Sequence, residues 1–97
     1  MEKIAIKEYQ YSSHAIQRMF ERKLYPETIE SVINEWNVIT EYPDDKPFPS
    51  YIFLGFSKNE PIHVVAGIDI KVKICYIITV YKPDEKLWTD NFTKRRK

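Results

Sequence analysis

Glycine is almost missing from this chain: Gly55 and Gly67 are the only two in 97 residues. That excludes a glycine-rich phosphate-binding loop, which needs several glycines so that backbone can approach a phosphate. Cysteine is scarcer still. A single cysteine, Cys75, excludes a disulfide and a cysteine metal site within one chain. Its place in the most apolar stretch marks it as a small buried hydrophobe. No segment approaches the roughly 20 apolar residues of a membrane span, and the N-terminus lacks the apolar run of a signal peptide. A cytoplasmic protein with no membrane partner is therefore expected. Repeats, low-complexity stretches and Gly/Ser linkers are also absent. Neither sign of charge dominates: the net charge is +1, which by itself points to no polyanionic partner.

What the chain has in quantity is aromatic. Seven tyrosines, five phenylalanines and two tryptophans fill one modest core. Ninety-seven residues make a single domain, 1–97. A domain of this size is stable by about 5–10 kcal/mol. The charges are unevenly spread. His14, Arg18, Arg22 and Lys23 cluster early, and Lys94, Arg95, Arg96 and Lys97 close the chain. Acidic residues concentrate in 27–45 and 84–90.

The strongest strand signals are 63–69 and 74–81. The second run is almost wholly β-branched or aromatic, which predicts a central strand covered on both faces. Ile70 to Lys73 forms the turn between them. In such a hairpin the start of the first strand lies beside the end of the second. His63 is therefore expected next to Thr79 and Tyr81, gathering an imidazole, a hydroxyl and a phenol at one edge of the sheet. Residues 38–42 and 51–56 read as two further strands. Between them, Pro43, Pro47 and Pro49 leave only loop. Asp44 and Asp45 in that loop read as turn formers, with no third ligand spaced for a metal.

Ser12 or Ser13 is a candidate N-cap for a helix running to about Lys23. Ala15, Ile16, Met19 and Phe20 form its apolar stripe. His14, Arg18 and Arg22 recur every fourth residue, so they align along one side of the helix, flanking that stripe. Glu21 stands where it can pair with Arg18. Pro26 then starts a second helix, 26–36, with Ile29, Val32, Ile33 and Trp36 on its buried side. Residues 1–11 alternate weakly, as either an edge strand or an ordered arm. Asp84 can cap a turn through Leu87 and Trp88. Trp88 and Phe92 can fold back on the core and pin the start of a basic tail, 93–97. The expected fold is an α+β domain, core 12–92. It has two N-terminal helices on one face of a four-stranded antiparallel sheet, connected as a meander.

Several motifs taken together resemble a family of small bacterial and archaeal proteins known as domain of unknown function 4258. They are Ser13-His14-Ala15 with Arg18-Met19 and Arg22; Tyr42 to Pro49 followed by Leu54-Gly55; His63-Val64-Val65; and Ile78 to Tyr81 with Pro83 and Trp88. The resemblance spans roughly 12–96. Tyr25 and Pro26 depart from it in the helix connector. It implies a RelE-like or barnase-like ribonuclease fold and the toxin half of a toxin–antitoxin pair. RNA, the ribosome and a cognate zinc-finger antitoxin are the partners it implies.

Metal-independent RNA cleavage needs a base for the ribose 2′-hydroxyl, cations for the phosphate and an acid for the leaving oxygen. Histidine suits either proton role and arginine suits phosphate. On this reading His14 or His63 is the base, and Arg18 and Arg22 hold the phosphate. Tyr81 and Thr79 donate hydrogen bonds, and no cofactor is required. Lys94, Arg95 and Arg96 grip flanking phosphates, while Tyr42, Phe48 or Tyr51 stacks a base. The alternative is a non-catalytic domain that binds RNA or protein, which composition alone favours.

Overall fold

The structure, a computed structural model, describes residues 3–96. Met1 and Glu2 of the N-terminal arm and Lys97 of the basic tail lie outside the described residues.

The chain opens with a short strand, β1 (Glu8–Tyr11), and passes directly into helix α1 (Ser13–Arg22). Ser12 is the N-cap. Its hydroxyl accepts the Ala15 amide hydrogen at 2.9 Å, satisfying a donor that the first helical turn leaves free. Lys23 ends the helix in the left-handed region, φ 56°. Helix α2 (Pro26–Glu35) follows with proline in its first turn, and Trp36 ends it the same way, φ 58°.

Four strands then run as an antiparallel meander: β2 (Val38–Tyr42), β3 (Ser50–Ser57), β4 (Glu60–Asp69) and β5 (Ile74–Tyr81). The expected four-stranded sheet is present but incomplete. β1 adds a fifth strand on the outer edge of β5, parallel to it, so the sheet is mixed with order β1-β5-β4-β3-β2. A parallel neighbour needs a long crossover connection, and here most of the chain supplies it.

Alternation along the strands sorts side chains onto two faces. Tyr51, Phe53, Ile62, Val64, Ala66, Ile68, Cys75 and Ile77 pack with Ala15, Met19, Ile29, Val32 and Ile33 of the helices. That is the main core. Gly55 sits on this face, where any Cβ would lie only 2.4 Å from Val32 Cγ2, so glycine sets how closely α2 approaches β3. β5 is not covered equally on both sides as expected. Its second face is half-buried, and Ile78 on it is 44% exposed. The reason is that both helices lie on the same layer. The flank of α1 away from its basic residues is also bare, with Phe20 86% exposed.

The last segment departs most from expectation. Asp84 does cap a turn, its carboxylate accepting the Lys86 amide hydrogen at 2.9 Å. Beyond it the chain forms a small hairpin, β6 (Trp88–Thr89) with β7 (Lys94–Arg95), instead of a trailing tail. Arg96 N–H donates to Leu87 O at 2.7 Å and closes it.

Candidate functional site

His63 stands on the sheet face away from the helices, between Leu54 on β3 and Tyr81 on β5. It is fully buried. The neighbourhood expected from the hairpin is therefore real: His63 Nδ1 lies 3.1 Å from Tyr81 Oη, and Val65 is paired with Thr79. What buries the ring is the C-terminal hairpin. Trp88 meets it edge-on, with ring centroids 4.4 Å apart, and Phe92 O lies 2.8 Å from Nε2.

These two contacts assign the proton. A carbonyl only accepts, so Nε2 carries the hydrogen and donates to Phe92 O. Nδ1 is then the acceptor, and the Tyr81 hydroxyl donates to it. Burial lowers the His63 pKa, and burial raises that of Tyr81. Both groups are therefore neutral near pH 7, and each has its hydrogen bonds committed inside the protein. The turn that carries Phe92 is strained. Asp90, Asn91 and Phe92 have φ of 52°, 56° and 68°, three consecutive non-glycine residues in the left-handed region.

The first helix lies on the other layer. Ser12 N–H donates to Ile77 O at 3.0 Å, and its hydroxyl donates to Ile78 O at 2.8 Å. The second bond depends on a bulge. The pairing shifts between Val65 and Ala66, which face Thr79 and Ile77, so Ile78 has no partner on β4. At its other end α1 shares a cleft with Lys82, just past β5. Helix α1 therefore runs along the half of β5 that β1 leaves uncovered, with His14, Arg18 and Arg22 on one flank of it. All three are exposed. Arg18 pairs with Glu21 at 3.2 Å, as their spacing predicts. Among the described residues neither His14 nor Arg22 has an ion-pair partner.

The expected site is thus divided. His63, Thr79 and Tyr81 are gathered on one face, while His14, Arg18 and Arg22 belong to the helix layer. The bulge at Ile78 is where the two approach in the chain, with Thr79 next to it and His14 two residues beyond its partner Ser12.

The aromatic candidates also separate. Tyr42 is exposed on the face that carries His63. Phe48 is half-buried and stacked flat on Tyr76, centroids 5.3 Å apart. Tyr51 is 3% exposed within the helix-side core and is not available to stack a base. Of the terminal cations, Lys94 pairs with Asp90 at 3.5 Å and the Arg95 guanidinium lies 5.8 Å from the centre of the Trp88 ring. Arg96 Nε donates to Glu85 O at 2.9 Å. Those three cations make these contacts within the hairpin instead of trailing from it. Among the described residues, no three His, Cys, Asp or Glu side chains are grouped to hold a metal ion. No described helix is long and apolar enough to cross a membrane.

Sequence reasoning missed the carbonyl of Phe92 and the ring of Trp88 as partners of His63. It also missed Lys58 and Lys82, which line the same cleft as Arg22.

Comparison with known proteins adds one match. No curated protein and no solved structure matches the chain. The model of the family described as Domain of unknown function (DUF4258) matches residues 11–82, from the end of β1 to just past β5. The match takes in α1, the bulge that receives it and the His63–Tyr81 pair, and with most of its length covered the chain belongs to that family.

Proposed function

We propose that this protein is a metal-independent endoribonuclease, the toxin of a toxin–antitoxin pair, with the basic stripe of α1 as its phosphate-binding surface. One observation carries the reading. His14, Arg18 and Arg22 form an exposed line on one flank of α1, which runs along the open half of β5, and a doubly bonded serine at Ile78 holds that helix in place. An imidazole and a guanidinium one turn apart on a fixed element can move a proton beside a phosphate and hold its charge. His14 is the proton-transfer group in this scheme, because both nitrogens of His63 are already engaged. Arg18, one turn from His14, stabilises the charge that builds on the phosphate oxygens, and Arg22 extends the cationic line beyond it. His63 and Tyr81 orient the end of β5. The RelE-like likeness belongs to this same reading, as do a ribosomal setting and an antitoxin partner.

A second reading has its own support. Strand cleavage calls for both an acid and a base, and His14 is the one histidine here whose ring is not already committed. A domain that binds RNA without cutting it needs only the cations.

Cleavage of a labelled single-stranded RNA, with and without EDTA, separates the two. Cleavage that survives EDTA and disappears in His14→Ala, with the melting temperature unchanged, is the expected result. Retention of RNA with no cleavage, on free RNA and on ribosomes, would leave the binding reading in its place.

A further inference from the structure

The end of α1, the β3–β4 turn and the segment after β5 enclose a cleft of about 340 Å³. Arg22, Lys23, Lys58 and Lys82 line it, with Glu21 and Glu60 as the only carboxylates among its lining residues. Both carboxylates are already spoken for: Arg18 holds Glu21, and Lys82 holds Glu60. Arg22, Lys23 and Lys58 have no ion-pair partner among the described residues. Three uncompensated cations thus converge on one concave surface of a chain whose net charge is only +1.

The backbone does not ask for lysine at two of these positions. Lys23 has φ 56° at the end of α1, and Lys58 has φ 52° in the turn between β3 and β4. Glycine or asparagine adopts that conformation most readily. A lysine near a helix C-terminus does gain from the helix dipole, which accounts for Lys23 in part. No such gain applies at Lys58. Charge, not turn geometry, is what that residue supplies to the cleft.

We propose that this cleft binds a phosphate group of an RNA strand lying along α1, away from the phosphate that reacts. The proposal rests on the reading that RNA is the ligand. An arginine fork with two mobile ammonium groups suits a tetrahedral group carrying several anionic oxygens. Arg22 joins the cleft to the stripe. His14 and Arg22 are eight residues apart on the helix, about 12 Å along its axis. A strand following the stripe from His14 therefore delivers a phosphate further along its backbone into the cleft.

The test is binding, read separately from cleavage. Fluorescence anisotropy of a labelled oligoribonucleotide is followed against salt, from about 50 to about 200 mM. Three proteins are compared: wild type, Lys23→Gln/Lys58→Gln, and Lys71→Gln/Lys73→Gln in the distant β4–β5 turn. All four lysines are exposed, and the two double variants lose the same charge. The plot of log affinity against log salt is expected to become shallower by roughly 1.4 in the cleft variant, about 0.7 for each lost contact to a single strand. The control variant is expected to keep the wild-type slope. Equal slopes in the two double variants would overturn the proposal, since only overall charge would then matter. Displacement of the RNA by inorganic phosphate, beyond that by chloride at equal ionic strength and only where Lys23 and Lys58 are intact, would assign the cleft to a free phosphate instead of a strand. A protein that binds with the expected slopes and never cleaves would keep the cleft and remove the nuclease reading. A wild type that fails to bind RNA at low salt would remove both.

Discussion

The Nε2 of His63 lies 2.8 Å from the carbonyl oxygen of Phe92, twenty-nine residues further along the chain. That bond ties the central strand pair to the C-terminal hairpin. It makes the hairpin a cover for the histidine and, in the neutral ring, places the hydrogen on Nε2, with Nδ1 free to accept from Tyr81.

Stability should therefore fall on mild acidification. Burial lowers the folded-state pKa of His63, so between that value and the ordinary one of about 6.5 the unfolded chain binds more protons than the folded one. The contribution is fully present above pH 6.5 and is lost as pH falls below it. The groups around the ring are Tyr81, whose hydroxyl donates to it, the Trp88 ring with Arg95 over it, and the Phe92 carbonyl, whose bond to Nε2 favours the charged ring but is outweighed by burial. Urea midpoints of wild type and His63→Gln between pH 5.5 and 7.5 check this. Wild type should lose stability toward pH 5.5, and the variant should show a flatter profile. Parallel profiles would refute the assignment.

Gly55→Ala should destabilise by roughly 1–3 kcal/mol, because the new methyl group meets Val32 at 2.4 Å and α2 must move outward. The cost should shrink when Val32 is first changed to alanine. Denaturant titration of the four proteins in that cycle measures the coupling. Equal costs in both backgrounds would mean that α2 is not held at this distance by Gly55.

Ser12→Ala should cost roughly 1–2 kcal/mol, since it removes an N-cap and leaves the Ile78 carbonyl without its partner. His14→Ala, at an exposed position, should stay within about 0.5 kcal/mol of wild type. Chemical denaturation distinguishes them. Similar losses for both would show that His14 has a structural role and would weaken its use as a proton-transfer group.

The Cys75 thiol should be inert in the folded protein. Burial, with Glu30 adding to it, pushes its pKa up to about 12. A thiol held protonated on a closed strand face is a poor nucleophile. Labelling by a thiol-specific disulfide reagent at pH 8 should be negligible in buffer and stoichiometric in denaturant. Rapid labelling of native protein would mean that the helix layer lifts readily from the sheet.

Much of this layout is legible in the sequence, and what is not has a common cause. Helical periodicity is local, so it marks both helices and the buried side of α2, but of the stripe expected on α1 only Ala15 and Met19 are buried, while Ile16 and Phe20 are 55% and 86% exposed. The closeness of His63 and Tyr81 follows from the direction of a hairpin and needs no more. The pairing of β1 with β5 has no such local signature: four weakly alternating residues look alike whether paired or free. The hairpin of Trp88 and Arg95 was hidden because its turn, Asp90 to Phe92, uses left-handed residues with no glycine to mark it. The division of the site has the same origin. Spacing places His14, Arg18 and Arg22 on one flank of α1, but it does not say on which side of the sheet that helix lies.

The bond from Ser12 to Ile78 joins residues 66 positions apart, and it bears on the order in which the protein assembles. The β2–β3–β4–β5 meander forms from contacts between sequence neighbours, which close quickly. β1 and α1 are made before the meander, yet their acceptors at Ile77 and Ile78 lie on its last strand. During synthesis from the N-terminus, α1 has no edge to dock on until β5 has emerged. Its apolar residues Ala15 and Met19 stay without a core for most of that time. The helix that carries the basic stripe thus docks only once β5 is made, and a chain cut short before β5 never presents that stripe in place.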